Sequence, residues 1–162
     1  MKKSLGMLLV TLLLLTSLGF APAVLADETG SRETDVNMAG IGKLTAEGDG
    51  IALLFGKGVI DVSGNGILWI KDISGNAKIN VAGYGSVKRF PDGWVQYSGV
   101  HGTASIKGSN VHIIMAGVNV NLNAKGRGKA LLWGHGTYSI NGKSGQWDNR
   151  YFGKLLTVSS TN

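Results

Sequence analysis

The chain has 162 residues, with 26 glycines, 2 prolines, no cysteine and a formal net charge of +6. The lack of Cys excludes disulfide scaffolds, thiolate metal sites and cysteine nucleophiles, and glycine without a G-X-Y period excludes collagen. Lys and Arg are scattered along the sequence rather than clustered, so it carries no nucleic-acid footprint.

The first segment reads as an export signal. Lys2 and Lys3 form a basic start, MLLVTLLLLTSLGF (7–20) an apolar stretch, and APAVLA (21–26) a small-residue end. Residues 1–26 are therefore expected to be a signal peptide cleaved near Ala26, placing the protein outside the cell or in the periplasm or envelope. The apolar stretch is short for a membrane span, which needs about 20 residues. Residues 27–40, DETGSRETDVNMAG, read as a flexible leader, and 41–160 as a single β domain.

From residue 41 an octapeptide frame recurs: IGKLTAEG (41–48), KGVIDVSG (57–64), NAKINVAG (76–83), HGTASIKG (101–108), NVNLNAKG (119–126) and HGTYSING (135–142). Apolar and polar residues alternate within each copy, as in a half-buried strand. Between the copies lie runs that are apolar on both faces: IALLF (51–55), ILWI (67–70), WVQY (94–97), VHIIM (111–115) and ALLW (130–133). A turn signal precedes each run: Asp49-Gly50, Asn65-Gly66, Asp92-Gly93, Ser109-Asn110 and Arg127-Gly128. Asp-Gly and Asn-Gly favour tight hairpins. On its other side each apolar run enters its octapeptide through glycine, which suits a kink within one long strand.

This pattern predicts strands near 41–48, 51–64, 67–73, 77–90, 94–108, 111–126, 129–142 and 146–158. The expected fold is all-β: an antiparallel up-and-down meander of about eight glycine-kinked strands, closed as a barrel or folded into a two-layer sheet. The alternative is a parallel β-solenoid, whose coils would also give the octapeptide spacing.

Simple alternation across the kinks places Phe55, Trp69, Tyr97, Met115 and Trp133 on an outward apolar contact band. It places Lys57, His101, Asn119 and His135 in a polar surface row. His101 and His135 would stand about 10 Å apart, two strand spacings, but the position between them is Asn119, a poor transition-metal ligand. His112 is expected to point inward. No G-x-S-x-G elbow, paired-carboxylate spacing or phosphate-cradling loop is present, so no catalytic, cofactor or metal residue is assigned and no cofactor is expected.

The function expected from these features is that of a secreted, non-enzymatic envelope or extracellular structural protein. It would act by adhesion, through self-association or contact with a membrane surface or cell-surface polymer, without a nucleic-acid partner. The alternatives are a small β-barrel carrier of a lipid or other apolar ligand, and a polysaccharide-binding module built on the Asn/Thr/Ser positions.

Overall fold

The computed structural model describes residues 40–150 and 152–160. The expected signal peptide, and the leader up to its last residue Gly40, lie outside them. The elements in order are β1 (Gly42–Asp72), β2 (Lys78–Ala82), β3 (Ser86–Arg89), β4 (Val95–Ile140), β5 (Lys143–Gln146) and β6 (Lys154–Val158). The protein is all-β and antiparallel, with glycine-kinked strands folded into two layers and not closed into a barrel.

The route of the chain differs from a meander. β1 and β4 run through several corners without ending, and β1 is flanked by β4 on both sides. Leu44 pairs with Ile140 on one side and Ala124 on the other; Ile60 pairs with Ala124 and Ile106. The two partners of Leu44 are 140 − 124 = 16 residues apart, so β4 returns to β1 after two octapeptides. The chain is thus a two-stranded antiparallel ribbon wound on itself, with two straight runs and two corners per turn.

The straight runs stack alternately into two layers. Across the first layer the order is 143–146, 137–140, 44–48, 120–126, 59–63, 103–107 and 78–82. Across the second it is 154–158, 128–133, 50–56, 111–117, 66–72, 95–99 and 86–89. All these pairings are antiparallel, which overturns the solenoid alternative. Side chains of both layers meet in one core cluster, in which Leu44, Leu68, Ile106, Ile113, Met115 and Leu132 have no exposed surface.

The corners are made by glycine rows that cross the ribbon. Gly134, Gly50, Gly117, Gly66 and Gly99 are successive cross-strand partners at one corner; Gly42, Gly126, Gly58 and Gly108 form a second row. Gly50 shows why. Its φ is +141°, and a Cβ there would lie 2.2 Å from the carbonyl oxygen of Trp133. Backbones approach too closely at the bend to admit a side chain.

Glycine spacing separates the two strands. In β1 it is eight residues (Gly42, Gly50, Gly58, Gly66); in the first part of β4 it is nine (Gly99, Gly108, Gly117, Gly126). The extra residue at each β4 corner is His101, Asn110 or Asn119, with φ of 55°, 51° and 53°. These are β-bulges whose surplus residue takes the left-handed conformation. Two of them are clamped from β1: the Asn65 side-chain oxygen accepts the His101 amide N–H at 2.6 Å, and that of Asp49 accepts the Asn119 amide N–H at 2.7 Å.

The Asp49-Gly50 and Asn65-Gly66 dipeptides, expected to be hairpins, are therefore corner clamps inside a continuous strand. Asp92-Gly93 does sit in a hairpin, between β3 and β4, with the Gly93 N–H bonded to Phe90 O and the Phe90 N–H to Trp94 O. A further hairpin joins β4 to β5 at Asn141-Gly142, where both φ angles are positive (48° and 81°), as a type I′ turn requires.

Candidate functional site

The winding gives the protein two outer faces of opposite character. The outer face of the first layer is polar, in three rows that cross the strands. One row reads Thr137, Glu47, Asn121, Ser63, Thr103; the next Ser139, Thr45, Asn123, Asp61, Ser105, Asn80; the third Lys43, Lys125, Val59, Lys107, Lys78. Neighbours within a row stand about 4.8 Å apart by strand spacing. The Asn121 amide donates to the Glu47 carboxylate at 3.2 Å. An open depression of about 410 Å3 lies on this face, lined by the polar Asp61, Ser63, Asn80, Thr103, Ser105, Asn121 and Asn123 and by the apolar Val62, Val81, Ala82 and Ala104.

The outer face of the second layer is apolar. Its central row is Leu155, Leu131, Leu53, Ile114 and Trp69; beside it run Trp133, Ile51, Ala116, Ile67 and, on the other side, Lys129, Phe55, His112. Phe55, Ile67, Trp133 and Leu155 are exposed, Leu155 by 62%. β6 extends the edge of this layer by pairing with 128–132. An aromatic strip crosses one end. Phe55 meets His112 edge-on at 4.9 Å; Trp94 lies 6.4 Å from His112 and 6.2 Å from Trp69; Trp69 stacks on Phe90 at 5.0 Å. Lys71 and Lys88 place their ammonium groups over the Trp94 and Phe90 rings.

Of the contact band expected from the sequence, Phe55, Trp69 and Trp133 lie on this face. Met115 does not: it is wholly buried, with Val111 and Ile113 beside it. Tyr97 likewise packs against the core. The bulges are the reason. One extra residue at Asn119 and one at His101 reverse inward and outward on passing each corner. Alternation counted from the octapeptides therefore assigns 111–115 and 95–97 the wrong side. The same reversal turns His112 outward, against the expectation that it points in.

The expected polar row divides. His101, Asn119 and His135 share one corner with Asp49 and Asn65, whereas Lys57 pairs with Arg127 at the opposite corner. His101 and His135 are separated by four strand spacings, about 19 Å, not the 10 Å expected, because the wound ribbon inserts β1 between successive passes of β4. His135 Nε2 instead lies 2.9 Å from the Asn149 amide nitrogen. Among the described residues no group of three or more His, Asp or Glu side chains is placed to hold a metal ion.

Among the described residues, two groups have shifted acidities. The backbone N–H of Arg150 donates to the Asp148 carboxylate at 2.8 Å and holds its pKa below the ordinary value, with help from the Arg150 side chain. Burial pushes the Tyr84 phenol up; its hydroxyl lies 3.6 Å from the Met115 sulfur in the core.

Sequence reasoning missed the lysine row and, in the central apolar row, Ile114 and Leu155. The outward side of Ile114 becomes legible once the nine-residue glycine spacing of β4 is read as one bulge per corner, whereas the lysine row depends on which strands pair. The sequence matches no family model, and no curated protein or solved structure is significantly similar to it.

Proposed function

We propose that the protein is a non-enzymatic extracellular or envelope protein that attaches to an anionic lipid surface through the outer face of its second layer. The observation carrying this reading is the apolar face itself, formed by Leu53, Ile114, Leu131, Ile67, Phe55 and Trp133. A soluble protein rarely leaves a contiguous apolar patch of this kind without a partner.

The choice of a lipid surface rests on what surrounds the patch. Lys71, Lys88 and Lys129 stand among its aromatic residues. No Asp or Glu occupies an outward position in runs 50–56, 66–72, 111–117 or 128–133. Aromatic rings with lysines beside them suit the headgroup level of a bilayer, where each Lys near an anionic surface contributes about 1 kcal/mol. The carrier alternative has less support, because the space between the layers is filled by Leu68, Ile106, Ile113, Met115 and Leu132.

The test is sedimentation with vesicles, using exported protein whose mass shows that residues 1–26 have been removed. Binding to vesicles of phosphatidylcholine with phosphatidylglycerol is expected, and much weaker binding to phosphatidylcholine alone. A double Phe55→Ser, Trp133→Ser variant is expected to bind at least about tenfold less, from the lost burial of two aromatic side chains. Equal binding by variant and parent, or no binding by either, would overturn the reading; a stable dimer that the variant dissolves would replace lipid with a second copy.

A further inference from the structure

We infer that the outer face of the first layer binds a linear acidic polysaccharide, laid across the strands along the row of Lys43, Lys125, Lys107 and Lys78. This inference is independent of the lipid-attachment reading, which concerns the opposite face.

The first observation is an unfavourable pairing. Lys43 stands directly opposite Lys125, and Lys107 directly opposite Lys78. Like charges at directly opposed positions destabilise a sheet. All four are exposed, and among the described residues no carboxylate lies within ion-pair distance of any of them. Two repulsive pairs fall in one row, spanning four strand spacings or about 19 Å, with only Val59 between them. The arrangement gains from a partner that brings negative charge along a line across the strands.

The second observation identifies the chemistry of that partner. Parallel to the lysines, one two-residue step along the strands, runs the row Thr45, Asn123, Asp61, Ser105 and Asn80. The depression of about 410 Å3 opens on this row, on the strands that also carry Lys125, Lys107 and Lys78. Hydroxyl, amide and carboxylate groups at a regular spacing can exchange hydrogen bonds with sugar hydroxyls, while the lysines take the acidic substituents at one edge. A chain of pyranose rings advances by nearly one strand spacing per sugar, so successive sugars meet equivalent positions. Nucleic acid fits less well: no aromatic side chain occupies an outward position in runs 44–48, 59–63, 103–107, 120–126 or 137–140, so bases find no stacking platform.

The experiment is titration calorimetry with oligogalacturonate, a neutral glucan of equal length and single-stranded DNA of equal charge. Oligogalacturonate is expected to bind measurably and the neutral glucan not. A Lys107→Glu, Lys125→Glu double variant is expected to weaken binding at least about tenfold, the loss associated with charged hydrogen bonds. Its thermal midpoint should hold or rise, because each change replaces a like-charged pair by an opposite one. Asn123→Ala leaves the charge unchanged and is expected to weaken binding severalfold. No binding of oligogalacturonate, lysine variants that bind as the parent does, or an Asn123→Ala variant indistinguishable from the parent would each overturn the proposal. Equal affinity for the DNA would overturn it in favour of an unspecific polyanion surface.

Discussion

Gly50→Ala is expected to lower the free energy of unfolding by about 3–5 kcal/mol, the range in which a strained backbone and a forced displacement of packed atoms combine. The added methyl would meet the Trp133 carbonyl oxygen at 2.2 Å and the Gly134 Cα at 2.9 Å, and the neighbours are backbone that cannot swing aside. The φ of +141° adds its own penalty for any residue with a side chain. Gly75→Ala is the matched control. Gly75 also has positive φ (+68°), but a Cβ there would have nothing within 4 Å, so the expected loss is only about 1 kcal/mol. Urea denaturation of both variants checks the difference. Equal losses would mean that close approach at the corners is not what requires glycine.

Deletion of Asn119 is expected to abolish cooperative unfolding altogether. The residue is the surplus one at its corner, and its removal changes the count on which inward and outward depend. Either Val111, Ile113 and Met115 or Val120, Leu122 and Ala124 must then leave the core. A single Leu-to-Ala change in a core typically costs about 2–5 kcal/mol, comparable with the 5–15 kcal/mol stability of a whole domain; losing three core side chains at once exceeds it. Asn119→Gly keeps the count and suits the left-handed conformation, so that variant is expected to unfold cooperatively, within about 1 kcal/mol of the parent. Circular dichroism against urea concentration distinguishes the two, and a cooperative transition in the deletion variant would contradict the assignment of Asn119 as a bulge.

These two positions also show how far the sequence could be read. Alternation in 41–48, 51–64 and 67–70 is faithful, because β1 keeps one parity through every corner: Leu44, Ala52, Ile60 and Leu68 all face inward. The all-β class, the long kinked strands and the two layers follow from it. Pairing partners do not follow, because nothing local in IALLF says that it lies between 111–117 and 128–133. The turn dipeptides misled for a physical reason: Asp49 and Asn65 use their side-chain oxygens to hold a bulge on the neighbouring strand, a role with the same residue preference as a hairpin. The outward placement of Met115 and Tyr97 failed at bulges that alternation cannot register. The histidines that open two octapeptides also have a backbone explanation in part. His101 occupies a left-handed bulge position, while His135 lies across the same corner opposite Asp49.

Both proposed surfaces depend on the wound ribbon, because only that route places Leu53 between Leu131 and Ile114 on one face and Lys107 beside Lys78 on the other. Cross-strand nuclear Overhauser effects from the backbone of Leu53 test it most directly. Contacts from Leu53 to both Leu131 and Ile114 are the result expected of the ribbon. Contacts from Leu53 to 44–48 or 67–70, its neighbours in a sequential meander, would contradict the winding and remove both faces with it.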